Sequence, residues 1–559
     1  MKRLKFTVPL FAVLFGTVLF FTRCFWFGQN GDLVLRNGLF YTGNLSKPQA
    51  QALVIRGERI LLVGKNEDME RFVGPRTRVL DLNGRFACAG FNDAHVHLFN
   101  GGKGSTEFDL SGIASIEEMQ QRILKKAWEL PTEAWLIGRG WDQSLFPGGV
   151  WPDKRYLDVI APDVPMYLVR ICGHVALVNS KALAIAGIKT GIPDPPAGEI
   201  VRDPATGEPT GILKEEAMRL VSQYIPALSK EGTEQAVLNA LNLVEQYGLT
   251  SLQDGSPPDI YPIYEKLLDN GMLKCRISLW FPLDERPQQY RRLRDRYNHT
   301  KLRFGLLKGF VDGSMGARTA FFQEPYSDEP STRGIPLMTQ EKLNLLVLRA
   351  DREGYSIGLH AIGDEANGMA LNAYALAQRI NGMRDSRHRI EHAQVLTKKD
   401  IPRFKELGVI ASMQPVHCIE DLPWAEARIG AARARYAYPW RSLLKESTVL
   451  AFGSDWPVAP LNPIVGMYAA VTRKDTLGQP LNGFFPQERI TIREALDAYT
   501  KGSAYAERME AEKGTLEKDK LADIVVLDQN LLVIPAQKIL QTKVVMTICA
   551  GKIVYESKK

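Results

Sequence analysis

The sequence lacks a cysteine framework and a block of basic residues. None of its six cysteines belongs to a Cys-x-x-Cys pair, and they are scattered at Cys24, Cys88, Cys172, Cys275, Cys418 and Cys549. This spacing argues against a cysteine zinc site and against a scaffold dense in disulfides. The net charge of +7 is small for 559 residues and forms no basic run, so we expect no nucleic-acid partner.

The start of the chain also lacks a cleavage site of the A-x-A kind. Three basic residues precede an uncharged, mostly apolar run over 6–22, and Arg23 and the bulky sequence FWF follow it. This order is typical of a secretory signal or of a membrane anchor. We expect residues 1–30 to form an uncleaved anchor that holds the main domain on the non-cytoplasmic side of the membrane. Cleavage of the segment, giving a secreted or periplasmic protein, stays open.

Histidine is scarce, yet two of the eight histidines stand two residues apart in FNDAHVHLFN, over 91–100. Side chains alternate along a strand, so His95 and His97 would point to the same side and could share one ligand. Neutral imidazole is the commonest metal ligand, which makes the pair a candidate site for zinc or a similar ion. The alternative is that both histidines form ordinary hydrogen bonds near a turn.

Two kinds of pattern divide the chain. Short strand candidates and Asn-Gly turns predict a small β unit over 31–89, which the short strands of 506–559 could complete. Strand-like and helix-like segments alternate between them, over 90–505, except that residues 105–230 fit poorly and are interpreted as an insertion or a large first loop. The strand candidates are 91–98, 249–254, 275–281, 302–313, 355–363, 388–394, 408–415 and 448–458.

Eight strand–helix units predict an α/β fold of the (β/α)₈ barrel type. A doubly wound open sheet is the competing architecture, but no Gly-rich phosphate-binding sequence follows any strand. In a parallel barrel, catalytic groups gather at the C-terminal ends of the strands. The metal-competent or acid–base groups at these ends are His95, His97, Lys308, His360, His392 and Asp455.

With its strand candidates and the polar groups at their ends in this order, the sequence resembles the amidohydrolase superfamily of metal-dependent hydrolases. The matching segments occur in family order and are AHVH, LKGFVDGSMGARTA, LHAIGD, RIEHAQ, FGSDWPV and KGTLEKDKLADIVVLD. Several look like the branch that includes N-substituted formamide deformylases. The resemblance spans Asp32 to Tyr555 and implies a distorted TIM-like barrel with a β-sandwich built from both chain ends.

The resemblance implies that one or two divalent ions, most simply zinc, occupy the site. One ion would be held by His95, His97 and Asp455, and a second by His360 and His392. Imidazole and carboxylate ligands suit iron and manganese as well as zinc.

Lys308 matches the position where such enzymes can carry a carboxylated lysine that bridges two ions. A lysine in an apolar strand has a depressed pKa, and its neutral amine can capture carbon dioxide. The alternative is a plain lysine paired with a carboxylate such as Asp312, in a site that needs only one ion. His360 or His392 would then serve the substrate.

The predicted reaction is hydrolysis of a carbon–nitrogen bond in a small non-peptide amide or formamide. Asp455 would accept a proton from the attacking water and pass it to the departing amine. A lactone or ester hydrolase with the same site, and a membrane-tethered binding protein without turnover, stay open. The oligomeric state also stays open, with a homodimer as one possibility.

Further polar groups are candidates for contact with substrate. His174 resembles a substrate-pocket histidine of the family, and Trp141 and Asp142 could line the same pocket. The alternative for His174 and for Trp141 is that the side chain belongs to the core. Asp312 could bind substrate or shape the turn after the fourth strand. Arg389 and Glu391 are expected to orient His392. Structural or surface roles are expected for His299, His388 and His417.

Overall fold

The computed structural model describes residues 30–104, 107–131 and 134–558. The predicted anchor falls on residues outside this set, apart from its last residue. Within the described ranges, no helix has both the length and the apolar character that crossing a bilayer requires.

The centre of the molecule is a sheet of eight parallel strands that pair in chain order. An isolated parallel bridge between Val96 and Trp456 joins the first strand to the chain after the eighth, so the barrel is nearly closed. Seven of the eight predicted segments contain a whole strand, the third strand extends one residue beyond its segment, to Pro282, and the predicted (β/α)₈ architecture is confirmed. The strands are Phe91–Val96, Leu249–Asp254, Arg276–Pro282, Leu302–Phe310, Ile357–Ala361, Arg389–His392, Ile410–Met413 and Leu450–Phe452.

The barrel strands are hidden from solvent on both faces. In six of the eight, every residue is buried. Strands covered on both faces need not alternate between apolar and polar residues, and their buried polar groups, such as Asn92, Asp93 and Gln253, are hydrogen-bonded within the protein.

Helices surround the barrel, and several of them bury one apolar side. The helix Gln340–Arg352 is typical: Thr339 caps its first turn by accepting a hydrogen bond from the Lys342 amide, and its buried side chains recur at helical spacing. The helices from the second strand unit onward are Lys230–Gln246, Tyr261–Asp269, Arg291–Arg296, Gln340–Arg352, Asp364–Asn381, Ile401–Glu406, Pro415–Glu420, Ala425–Ala434, Trp440–Lys445, Pro463–Thr472, Ile492–Asp497 and Ser503–Ala506.

Residues between the first and second barrel strands form a separate sheet of six strands. It has its own apolar cores, which include Trp141, Leu168 and Leu177. Its strands are Phe108–Asp109, Leu136–Trp141, Met166–Arg170, Val175–Val178, Gly198–Arg202 and Pro209–Glu215. The accompanying helices are Leu98–Gly104, Ile116–Ala127, Lys154–Asp158, Ser180–Ile185 and Arg219–Ser222.

The two chain ends pair to form a sandwich of two sheets beside the barrel. In the strand Phe86–Ala89 (FACA), Ala87 and Ala89 face the core between the two sheets, whereas Phe86 and Cys88 pack against the barrel. This period of two is what a strand imposes. The smaller sheet contains Leu33–Arg36, Ala52–Arg56, Arg59–Gly64 and Arg78–Asp81, and the larger one Leu39–Tyr41, Gln49–Ala50, Phe86–Ala89, Ile524–Leu527, Val544–Cys549 and Lys552–Glu556.

Candidate active site

His95 and His97 face Asp455 at the C-terminal end of the barrel. The Nε2 atoms of His95 and His97 lie 3.4 and 3.2 Å from Asp455 Oδ1. His97 donates its Nδ1 hydrogen to the Gly255 carbonyl over 3.2 Å, so its Nε2 lone pair faces the carboxylate. The alternation of side chains along the strand thus brings the two histidines to one carboxylate.

His360 and His392 lie next to this group. Their ring centroids are 4.4 Å apart, and the His392 ring is 5.1 Å from that of His95. His360 donates Nε2–H to the Gly313 carbonyl at 3.1 Å. His392 is 4% exposed, and its Nδ1 has no hydrogen-bond partner in the described structure, which is costly unless a ligand satisfies it.

Three of these side chains can share a single ion. His95, His392 and Asp455 offer ligand atoms that all lie within 4.8 Å of one another. In a tetrahedral zinc site with bonds of about 2.1 Å, ligand atoms are separated by about 3.4 Å, which the distances from Asp455 to His95 and His97 match. The donor set therefore fits a divalent ion, although the tightest trio combines members of both predicted ion sites.

The protonation states also favour a cation. Burial lowers the pKa of His95 to about 4 and holds the pKa of His360 and His392 well below the usual value, so these imidazoles are neutral. Burial alone would raise the pKa of Asp455, but His95 and His97 keep it well below its usual range. Neutral imidazoles around an anionic carboxylate form a typical metal-binding set.

Lys308 projects into the same group from the fourth strand. Its Nζ lies 3.4 Å from His95 Nε2, with the rings of Trp280 and Phe310 at 5.0 and 5.1 Å. Burial lowers its pKa to about 8, which increases the neutral amine fraction at neutral pH. Within the described ranges Lys308 makes no ion pair, and the alternative of a Lys308–Asp312 pair is wrong.

Asp312 is a structural residue and does not contact the cavity. It is fully buried and accepts hydrogen bonds from the backbone amides of Phe321, Ile362 and Gly363 at 2.8 to 3.0 Å. One of its oxygens lies 3.5 Å from His360 Nε2. The prediction that Asp312 binds substrate is therefore wrong, because its carboxylate is used to shape the turn behind His360.

Arg389 and Glu391 orient His95, not His392 as predicted. Glu391 accepts the Nδ1 hydrogen of His95 at 2.9 Å, and Arg389 donates to Glu391 at 2.5 Å. Burial would raise the pKa of Glu391, but Arg389 and His95 lower it to about 2. This pair fixes the tautomer of His95 so that Nε2 faces the ion site.

Two cavities meet over these groups. The first cavity, of about 290 Å³, is lined by Asp142, Arg170, His417, Glu420, Asp421 and Trp424, among others. The second cavity, of about 350 Å³, includes Lys103, Glu107, Arg139, Lys308, His95 and His97. Both share Cys172, His174, His360, His392, Asp455 and Val458, so the metal-binding groups form their common floor.

The insertion contributes His174 and Asp142 to this region, in agreement with their predicted location. His174 donates Nδ1–H to Glu215 at 2.8 Å. Burial lowers the pKa of His174, but Glu215 outweighs it and raises the value to about 9, so the ring is cationic at neutral pH. Asp142 forms an ion pair with buried Arg170 at 2.6 Å.

Trp141 does not line either cavity. It is fully buried within the insertion, where its Nε1 donates to the Leu168 carbonyl at 2.8 Å. Because strand neighbours point to opposite faces, Asp142 reaches the cavity while Trp141 joins the core. The predicted substrate contact of Trp141 is therefore wrong.

His417 belongs to the site, so the predicted structural or surface role is wrong. It lies on the helix Pro415–Glu420 directly after the seventh barrel strand, and its Nε2 is 3.8 Å from Asp455 Oδ2. Its position after a barrel strand was the available signal. His388, by contrast, is structural as predicted, because it is buried against Asp351 at 3.0 Å.

The barrel and the clustered histidines, carboxylate and lysine define a metal-dependent hydrolase. The sequence model of the Amidohydrolase family matches residues 78–555, and the chain belongs to this family. The superfamily resemblance is thereby confirmed, and with it a hydrolase that acts on carbon–nitrogen bonds other than peptide bonds.

Individual relatives extend over nearly the whole chain. The sequence is 35% identical to Protein LONG AFTER FAR-RED 3 of Arabidopsis thaliana, over 90% of this chain and 88% of that protein. It is 27% identical to the N-substituted formamide deformylase of Arthrobacter pascens, over 94% of this chain and 99% of that protein. The crystal structure of a metal-dependent hydrolase from Pyrococcus horikoshii aligns with a TM-score of 0.72 and 29% identity, covering 90% of this chain and 99% of that one.

Proposed function

We propose that the protein hydrolyses the carbon–nitrogen bond of a small non-peptide amide, with N-substituted formamides as the first class to test. The observation that carries this proposal is the buried set of His95, His392 and Asp455, whose ligand atoms lie within 4.8 Å of one another. The likeness to an N-substituted formamide deformylase supports the choice of formamides.

Zinc is the proposed metal, held by His95, His97 and Asp455 at one position and by His360 and His392 at a second. Carboxylated Lys308 would supply an anionic ligand between the two positions. When bound, such ions activate water and polarise the carbonyl group of the substrate. The neutral imidazoles and the anionic Asp455 carboxylate that faces them support this assignment.

The protein's own groups handle the protons and the developing charge. Asp455 would accept a proton at a carboxylate oxygen and deliver it to the departing nitrogen. The cationic His174 ring lines both cavities and would donate a hydrogen bond to the carbonyl oxygen as its negative charge grows. The buried walls would exclude water and so strengthen both interactions.

The cellular location of the protein is the subject of a separate proposal. The basic residues followed by an apolar run in residues 1–30 support a membrane anchor with the catalytic domain on the non-cytoplasmic side. Cell fractionation tests it: full-length protein should remain with the membranes after a high-salt wash, and entirely soluble protein that begins after a removed signal would contradict it.

The test of the reaction is a substrate panel with zinc-loaded protein. We expect N-benzylformamide to be hydrolysed to formate and benzylamine, while the Asp455→Asn variant loses about 10²–10⁴-fold in rate. N-benzylacetamide and γ-lactones belong in the same panel. Turnover of lactones alone would contradict the proposed carbon–nitrogen specificity.

A further inference from the structure

The short helix Pro415–Glu420 presents two polar groups to the first cavity. His417 and Glu420 are three residues apart, so they occupy the same side of this helix. His417 Nε2 has no hydrogen-bond partner in the described structure and only a 3.8 Å contact with Asp455 Oδ2, and the described residues offer the Glu420 carboxylate neither a hydrogen bond nor an ion pair. A ligand in the cavity would meet both groups.

His417 is the more deeply buried of the two. It is 8% exposed, its ring stacks on that of His392 at 5.8 Å, and its Nε2 lies 3.8 Å from Asp455 Oδ2, which is too long for a hydrogen bond. A buried polar atom without a partner is destabilising. Such an atom in a cavity wall therefore points to a missing partner on the cavity side.

The other charged side chains that line the wall of the first cavity already have partners within the protein. Arg170 is neutralised by Asp142 at 2.6 Å. Asp421 accepts hydrogen bonds from Tyr438 and from Gln394, and burial raises its pKa to about 7. Glu420 remains, beside the indole of Trp424. Burial and the neighbouring carboxylates of Asp421 and Asp142 raise its pKa well above the usual value, so a cation bound in the cavity would favour the ionised form of this carboxylate.

The second cavity has the opposite character. Arg139 lines it and forms no ion pair with a carboxylate in the described parts of the chain. A substrate that lies across the shared floor would thus meet the carboxyl group of Glu420 on one side and the guanidinium of Arg139 on the other. The two halves of the substrate are therefore distinguished by charge.

The position of Asp455 bears on which half of the substrate enters which cavity. The departing nitrogen must come within hydrogen-bond reach of the group that protonates it. Asp455 lines both cavities, and of the two the first cavity, where His417 and Glu420 offer hydrogen-bond acceptors, suits a nitrogen half with N–H donors or a positive charge.

We propose that the first cavity binds the amine half of the substrate, that this half carries a positive charge or N–H donors, and that Glu420 and His417 recognise it. This inference rests on the proposed hydrolysis of amides. The substrate class is thus an N-acyl or N-formyl derivative of a diamine or another cationic amine.

Three formamides of similar size test the selectivity: N-[4-(aminomethyl)benzyl]formamide, N-(4-methylbenzyl)formamide and 4-(formamidomethyl)benzoate. We expect kcat/KM to fall in that order from cation to neutral to anion. Glu420→Gln should lower the cation-to-neutral ratio by about two- to fivefold, as expected for an exposed ion pair. Glu426→Gln, which removes an exposed carboxylate outside the cavity, is the matched control and should keep the parent ratio. A ratio that is unchanged by Glu420→Gln would overturn the inference.

His417 is tested with two variants and with metal analysis. His417→Leu should lower kcat/KM for the cationic formamide by about tenfold, mainly through KM, while zinc content stays at the parent level. His417→Gln, whose amide can still hydrogen-bond, should restore much of the loss. Loss of zinc in both variants would assign His417 to the metal site and overturn its role in substrate binding.

Binding measurements distinguish failure of the proposed reaction from failure of the cavity assignment. Calorimetry on the zinc-loaded protein would compare benzylammonium with benzyl alcohol, neither of which has a bond to hydrolyse. Tighter binding of benzylammonium, lost in Glu420→Gln, would support the cavity assignment even if no formamide is turned over, in which case only the proposed reaction fails. Equal affinity for the two probes would overturn the cavity assignment.

Discussion

Lys308 Nζ lies 3.4 Å from His95 Nε2, although 213 residues separate the two in the chain. The first and fourth strands of the barrel bring them together at one end, where Lys308 is 8% exposed. A protonated amine there would repel a divalent cation, so the pair fits a metal site only if the lysine is neutral or modified.

Lys308→Ala therefore tests the proposed carbamate. We expect the folded variant to lose most zinc and turnover, and small carboxylates such as formate or acetate to restore part of both by occupying the vacated space. Zinc content and rate per folded protein are the measurements. Lys405→Ala removes an exposed lysine far from the site and serves as the control. Full zinc occupancy with near-normal rate in Lys308→Ala would exclude the bridge.

Single histidine replacements test how many ions are held. His97→Ala should lose one zinc equivalent, since its Nε2 faces only Asp455 at 3.2 Å. His392→Ala should have a larger effect, because His392 belongs to the tightest trio and also adjoins His360. Elemental analysis of each variant, with His299→Ala as a surface control, gives the stoichiometry. One ion in the parent that is unaffected by His392→Ala would favour a one-metal site.

The barrel was predictable because its signals are local. Several barrel strands, such as Arg276–Pro282 and Leu450–Phe452, lie in mostly apolar segments, and His95 and His97 lie near each other in the sequence. The rim position of Lys308 also follows from the rule that strand ends gather at one edge. These features need no knowledge of long-range packing.

The wrong assignments depend on contacts that the sequence does not display. Trp141 and Asp142 are adjacent, and only the register of the insertion sheet decides which of them reaches the cavity. Glu391 stands beside His392 in the chain but bonds to His95 on another strand. His417 follows the seventh barrel strand, and the path of the chain after that strand cannot be derived from the sequence. Its approach to Asp455 was therefore not predicted.

A buried ion pair joins the terminal sandwich to the barrel. Arg276 of the third barrel strand donates two hydrogen bonds to Asp523, at 2.7 and 3.0 Å, and both side chains are nearly inaccessible to solvent. Asp523→Ala would leave the guanidinium buried without its partner, so we expect a loss of about 3–5 kcal/mol in the free energy of unfolding. Urea titration measures this, with exposed Asp269→Ala as the control. A loss below about 1 kcal/mol would show that the pair does not couple the two parts.

Asp351 gives the barrel a specific sensitivity to acid. Its carboxylate, 4% exposed, receives hydrogen bonds from Arg384 at 2.6 Å, Asn381 at 2.7 Å and His388 at 3.0 Å. Burial would raise its pKa, but these partners lower it to about 2. Because the folded pKa lies below the unfolded value of about 3.9, the stabilisation is complete above pH 4 and is lost as the pH falls towards 2.

Asp351→Asn should therefore lower the free energy of unfolding by about 2 kcal/mol at pH 7. The difference between parent and variant should shrink as the pH is lowered from about 4 towards 2, because the parent carboxylate then takes up its proton. Urea titrations at pH 7, 5 and 3 measure this difference. Exposed Asp269→Asn, which has no hydrogen-bond or ion-pair partner in the described structure, should follow the parent at every pH. A parent–variant difference that is independent of pH would show that Asp351 stabilises the barrel through packing and not through its charge.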